Sequence, residues 1–269
     1  MRAWMLVVAA CMPVTMAFMR ADDAAKGAAP APARVSVDIP GTALSIDLVR
    51  VSLENDRTLL FGRTEIPWQV LDVFVHGLDK GPSSPEIDAV TRPSKPYISM
   101  DRGFGHHDYP AISVSHANAV AFCQWLSAKT GRRFRLPTRT EWSNACERGA
   151  VDAAQRVEHA WCAENAQRKT HPVGTRAPDA AGLCDMLGNA CEWVSDAGDS
   201  FVVMGGSFRD PAERLGCTNA VPSDAAWNAS DPQIPKSIWW LADGGFVGFR
   251  VICEETTAGD RAPESKEQR

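Results

Sequence analysis

Between residues 35 and 49 apolar and polar positions alternate. Val35, Val37 and Ile39 form one apolar series, Pro40-Gly41 interrupts it, and Leu44, Ile46, Leu48 and Val49 resume it. A period of two on either side of a Pro-Gly turn predicts a β-hairpin. Leu59-Leu60-Phe61 predicts a further short strand. The period then lengthens. After Thr64-Glu65-Ile66-Pro67-Trp68, the residues Val70, Leu71, Val73 and Phe74 give an apolar helix face, with Pro67 tolerated in the first turn. Residues 77–111 carry Pro82, Pro85, Pro93, Pro96 and Pro110 and predict a long ordered loop, since Tyr97, Ile98, Met100 and Phe104 call for burial. The clearest helix runs from a Ser115 cap through Val120, Phe122, Cys123 and Leu126 to Gly131. Next, Thr138-Arg139-Thr140-Glu141 is a capping box opening a helix with Trp142, Ala145 and Cys146 that stops near Gly149. Beyond Val151 regular patterns thin out. Phe201–Met204 predicts a strand leading into Gly205-Gly206-Ser207-Phe208, and Phe246–Ile252 reads as one closing strand.

Composition narrows the class. The chain has 269 residues, 45% hydrophobic and 23% charged, with a net charge of −5. That suits a globular domain and argues against nucleic acid as a partner. Arg2 followed by the uncharged stretch Ala3–Met19 and the small-residue site Thr15-Met16-Ala17 predicts a signal peptide over residues 1–21, hence an exported protein. The same stretch allows an uncleaved membrane anchor, or a lipid anchor at Val8-Ala9-Ala10-Cys11; a membrane is expected as a partner only through these. Residues 22–33 have Ala/Pro linker composition, the domain is expected over 34–253, and residues 254–269 read as a disordered tail. Export exposes the cysteines to an oxidising space. Of the 8 cysteines, removal of Cys11 leaves an odd number, so at least one is expected to stay unpaired within the chain.

Candidate chemistry concentrates in residues 182–196. Asp185 and Glu192 flank Gly188-Asn189, residue types that accept left-handed backbone angles. A loop turned there aims two carboxylates and the intervening carbonyls at one point, as a calcium cage requires. Equally, Asp185 can cap a turn while Glu192 pairs with Arg209 or Arg250. Cys184 and Cys191 sit in the same stretch.

Several segments, in order, resemble the sulfatase-modifying factor, or formylglycine-generating enzyme, family. They are Glu65-Ile66-Pro67-Trp68 with Phe74, Arg135-Leu136-Pro137-Thr138 with Glu141-Trp142, Gly182-Leu183 with Asp185-Met186, Gly188-Asn189 and Glu192-Trp193, then Gly205-Gly206-Ser207-Phe208 and Gly248-Phe249-Arg250. The resemblance implies a single irregular, loop-rich α+β domain related to the C-type lectin fold. It implies bound calcium, held by the side chains of Asp185 and Glu192 and the carbonyls of Gly188 and Ala190. The family's second calcium site has only Asn165 as a remnant here, in a basic segment.

Enzymes of that family use two cysteines just after the Gly-Gly-Ser-aromatic motif to bind copper(I). Here Asp210, a hard ligand, stands at the first position, and only Cys217 follows, too late for the second. Copper is therefore not expected. By analogy with the family, Cys146 pairs with Cys217 and Cys123 with Cys253; buried free thiols are the alternative. Cys162, Cys184 and Cys191 are left over for a disulfide, a soft-metal site or buried thiols. His106-His107 beside Asp108 reads as a solvated loop. The expectation is an exported, calcium-stabilised binding or maturation module. Its groove for an extended peptide or protein segment is expected near Ser207, Phe208, Arg209, Trp239, Trp240 and Arg250. The alternative is an active oxygen-dependent oxidase converting a protein cysteine to formylglycine, with a different metal site on Cys217, Cys184 or Cys191.

Overall fold

The hairpin forms as its alternation requires. Strands β1 (Arg34–Asp38) and β2 (Ser45–Ser52) pair antiparallel, with Val37 opposite Ile46 and Val35 opposite Leu48. β3 (Thr58–Gly62) pairs with the far edge of β2. The computed structural model describes residues 33–54, 57–81 and 83–255. The expected signal peptide and nearly all of the expected linker, together with the expected tail from residue 256 on, lie outside the described residues. Among the described residues no helix is long and apolar enough to cross a membrane.

Helix α1 (Trp68–His76) starts after Pro67, which occupies the cap position, and ends at Gly77 with φ 62°. The proline-rich stretch holds one short helix, α2 (Pro85–Asp88), and buries Met100. It leaves Tyr97 75% exposed and Ile98 40% exposed, so the expected burial of that whole apolar set does not occur. Helix α3 (His116–Thr130) is capped by the Ser115 hydroxyl, which accepts from Asn118 N, and closes at the left-handed Gly131. β4 (Phe134–Arg135) leads to α4 (Arg139–Gly149), whose Thr138–Glu141 capping box forms in both directions. Arg135 locks the Glu141 end of that box with a two-pronged ion pair at 2.7 and 2.8 Å.

After the one-turn helix α5 (Arg156–His159) the chain builds a second sheet from β5 (Cys191–Ser195), β6 (Phe201–Met204), β7 (Ala220–Pro222) and β8 (Val247–Gly248), in the order β7-β6-β5-β8. β9 (Ile252–Glu254) returns to the first sheet, whose order is β1-β2-β3-β9-β4. The apolar run 246–252 therefore does not make one strand. It crosses between sheets, because Phe249 O accepts from Ile66 N and Val251 O from Gly62 N while Arg250 turns inward. β3, in the middle of the first sheet, is buried on both faces. Ile46, Leu48 and Leu60 face a core shared with α1 and α3, and Val49, Val51, Leu59 and Phe61 face one shared with Trp142 of α4.

One helix end carries a pH-sensitive group. His116, the first residue of α3, stacks on Phe201 at 4.0 Å and meets Trp193 edge-on. Its buried Nε2 has no hydrogen-bond partner, and burial pushes the imidazole down to about 4. The positive end of α3 also disfavours a second positive charge there. A group whose folded value is depressed stabilises the fold above its unfolded value, near 6.5, and loses that contribution as pH falls toward 4. Because the ring is partly exposed, about 1–2 kcal/mol is expected to be lost between pH 7 and 4.5. His116→Phe is expected to flatten this part of the urea-unfolding pH profile; an unchanged slope would assign the acid sensitivity elsewhere.

Candidate functional site

The loop 182–190 takes the sharp shape its residues predict. Asp185, Gly188 and Asn189 all have positive φ, at 55°, 79° and 50°. A Cβ on Gly188 would lie 2.3 Å from Trp161 O, so only glycine fits. Asn189 is fully buried and ties the loop to His171 through both side-chain ends.

This loop and β5 gather buried charge. Glu192 accepts two bonds from Arg250 Nε at 3.1 and 3.0 Å and one from Nη2 at 2.7 Å, and it accepts Trp142 Nε1 at 2.7 Å. Arg250 is fully buried and spends its remaining donors on Gly62 O and Cys184 O. Two more carboxylates stand close by. Glu65 Oε1 accepts from Ala190 N, and Asp185 Oδ2 accepts from Gly174 N at 2.6 Å. Their second oxygens, Glu65 Oε2 and Asp185 Oδ1, are buried without a partner. Burial raises both groups, Asp185 to about 6; Asp185 and Glu192 raise Glu65 further, and Glu192 does the same to Asp185.

The balance of charge bears on calcium. Glu65, Asp185 and Glu192 share one fully buried guanidinium, and Arg63 acts on Asp185 besides, so two cations stand against three carboxylates. Orphaned carboxylate oxygens beside backbone carbonyls are the hard donors a calcium ion takes. Two such oxygens are free here, and they change the expected set. Glu192 has given its oxygens to Arg250 and Trp142, and the free carboxylate oxygens belong to Asp185 and Glu65. Among the described residues no three His, Cys, Asp or Glu side chains form a metal-holding group alone, so carbonyls such as those of Gly188 and Ala190 would have to complete the shell.

The second feature lies beyond β6. Gly205 and Gly206 turn with φ of 87° and 70°, and a Cβ on either would collide with Met186 O or Leu215. Ser207 then donates its N–H and hydroxyl to Asp210 Oδ2 at 2.8 and 3.0 Å. Asp210, at the expected copper-cysteine position, thus closes a turn. Beside it opens a cleft of about 730 Å³, lined by Arg139, Cys191, Asp210, Arg214, Trp227 and Phe246 among others. The Arg209 guanidinium lies 4.4 Å over the Phe246 ring.

Most of the expected groove residues are elsewhere. Ser207 and Phe208 are buried, Phe208 edge-on to Phe104. Trp240 is core, stacked on Trp68 with its Nε1 bonded to Ser94 O. Arg250 belongs to the internal ion pair, where desolvation is offset by Glu192. Trp239 is half-buried and Arg209 alone is exposed. Arg139, Arg214, Trp227 and Phe246 were not read from sequence; they come from separate irregular segments with no shared spacing. Cys191 was in view only as one of the two thiols in the 182–196 stretch.

Cys146 and Cys217 are joined, with Cα atoms 5.5 Å apart. Cys217 is therefore no nucleophile. Cys123 and Cys253, expected to pair, are instead free buried thiols in one apolar core, as are Cys162, Cys184 and Cys191 in their own settings. Burial pushes Cys162 and Cys184 up to about 11 and Cys191 higher, so none is a ready thiolate. His106 differs from the expected solvated loop. It bridges Asp72 at 2.7 Å and Asp101 at 3.2 Å and stacks on Trp68.

Residues 89–254, more than half of the chain, match the family model described as sulfatase-modifying factor enzyme 1-like domain. The chain belongs to this family. Among curated relatives of this sulfatase-modifying-factor-like chain, the formylglycine-generating enzyme of Bos taurus is 32% identical over 108 residues, covering 33% of this chain and 27% of that one. That of Thermomonospora curvata is 30% identical over 156 residues, covering 46% and 49%. The chain thus spans half or less of the length of these two enzymes. In fold it is similar to Treponema denticola variable protein 1 (TM-score 0.58, 19% identity, covering 83% of this chain and all of that one). It is likewise similar to PvdO of Pseudomonas aeruginosa (TM-score 0.52, 20% identity, covering 83% and 92%). These likenesses support a mixed, loop-rich α+β domain of the formylglycine-generating-enzyme type.

Proposed function

We propose that this sulfatase-modifying-factor-like chain is an exported binding or maturation module that holds an extended polypeptide segment without oxidising it. One observation carries the reading: a cleft opens beside the Gly-Gly-Ser turn, and a pair of sulfur donors for copper does not line it. Asp210 is spent on Ser207, Cys217 is bonded to Cys146, and Cys191 is the one thiol lining the cleft. A single buried thiol with a hard carboxylate is a poor copper(I) site. The cleft volume falls within the roughly 300–1,000 Å³ usual for ligand sites. β7 is the edge of its sheet, and Ala220 and Val221 line the cleft, so an extended segment can pair with the strand while its side chains enter the cleft. A disulfide accords with export.

Calcium is part of the proposal as a structural ion near Asp185 and Glu65, where it would supply the positive charge the buried carboxylates lack. Metal analysis of the purified chain is expected to find calcium in equimolar amount and no copper(I) retained after dialysis. Incubation with a cysteine-containing sulfatase-type peptide and oxygen is expected to yield no aldehyde. Tight copper(I) uptake with aldehyde formation would restore the oxidase reading; absence of calcium would remove the ion from the proposal.

A further inference from the structure

The cleft's charge is at odds with that of the whole chain. The protein carries −5, yet Arg139 and Arg214 line the cleft, and Arg209 stacks on Phe246 at its wall. Among the described residues Arg209 and Arg214 make no side-chain ion pair, and Arg139 has only a partly exposed contact with Asp196 at 3.3 Å. Asp210, the acid in the lining, is already an acceptor for Ser207. Arg102 and Arg168 lie near enough to Arg209 to destabilise its charge further, with Asp210 opposing them. Uncompensated guanidiniums in a partly desolvated cleft favour carboxylates, which they engage with paired donors. Trp227 and Phe246 line the same cleft, packed edge to face at 5.4 Å, with Trp227 half-buried. Such a surface takes a planar or bulky apolar side chain.

We propose that the cleft binds an acidic peptide segment in which carboxylates flank an aromatic residue, the acids meeting Arg139, Arg209 and Arg214 and the ring meeting Trp227 and Phe246. This rests on the reading of the cleft as a polypeptide site and names the class of polypeptide.

The test is fluorescence anisotropy on the full chain with calcium present. The probes are fluorescein-labelled Gly-Glu-Phe-Glu-Gly, its Gly-Lys-Phe-Lys-Gly counterpart and the Gly-Glu-Ala-Glu-Gly variant. The acidic aromatic probe is expected to bind about tenfold or more tightly than either of the others, and to weaken as salt rises. Arg209→Gln with Arg214→Gln, two exposed changes checked by an unaltered melting temperature, is expected to weaken it about tenfold. Trp227→Ala is expected to bring the Phe probe down to the Ala probe. Equal or tighter binding of the lysine probe, or indifference to the arginine changes, would overturn the acidic class while leaving a peptide-binding cleft. Equal binding of the Ala probe would overturn the aromatic contact. If no probe binds at millimolar concentration, this proposal and the underlying reading both fall.

Discussion

Arg250→Met is expected to cost about 3–5 kcal/mol of folding stability. Breaking a buried ion pair from one side leaves a desolvated charge with nothing opposite it. Here the burden is larger than for an isolated pair, because Glu65 and Asp185 lie beside Glu192 and all three carboxylates are buried. Methionine keeps much of the arginine's length and loses only the charge and the bonds to Glu192, Gly62 and Cys184. Two controls separate charge from packing. Glu192→Gln on top of Arg250→Met removes the stranded charge and is expected to recover part of the loss. The defect is also expected to be milder at pH 5 than at pH 8. Asp185 and Glu65 have raised folded values, so lower pH protonates them in the folded state and reduces the repulsion. Urea unfolding of both variants at the two pH values reads each point. A loss under about 1 kcal/mol would show that relaxation or bound calcium substitutes for the guanidinium.

The same network shows what sequence could and could not disclose. Helices α3 and α4 were legible because their caps are local: Ser115 to Gly131, and Thr138 to Glu141, act over a few residues. The β1–β2 hairpin was legible because alternation and a turn sit side by side. The 246–252 run reads as one strand because apolar continuity does not distinguish one strand from a crossing between two sheets. The arginine inside that run was the local clue, since a charge there demands a buried partner. β5 escaped as a strand because its buried glutamate hides the pattern of a strand covered on both faces.

For the site, the sequence shows Asp185 and Glu192 as a cluster and offers Arg250 as one partner for Glu192. Glu65 was not connected to them, since its bond to Ala190 spans 125 residues. Placing Trp240 and Phe208 in a groove failed for another reason. Tryptophan and phenylalanine beside irregular loops serve the core as readily as a surface, and only packing decides. The cleft residues were the least legible. Arg139 is the first residue of a helix, Arg214 lies on a short turn, and Trp227 and Phe246 sit in separate loops. No period joins them; the second sheet and the Gly205-Gly206 turn bring them together.

Replacing both Cys146 and Cys217 by alanine is expected to cost about 4 kcal/mol. The bond joins positions 71 residues apart, and the entropy withheld from the unfolded chain grows with the loop that is closed. It also fixes a segment otherwise tied by a few contacts: Ala212 N donates to the Glu164 carboxylate, Arg156 donates to Ala212 O, and Leu215 is buried in the core. Residues 211–219 carry one short helical turn, and their other ties to α4 include the Ser143 hydroxyl donating to Cys217 O. Arg214, Thr218 and Asn219 from this segment line the cleft. Two effects therefore belong together: a lower urea midpoint, and weaker binding of the acidic probe even where the variant remains folded. Wild type treated with a reductant is expected to match the double variant in both. If the double variant loses stability but binds the probe unchanged, the disulfide serves the core alone and the cleft wall is held by its own contacts. If stability changes by less than about 1 kcal/mol, the unfolded chain is compact enough that closing this loop removes little entropy.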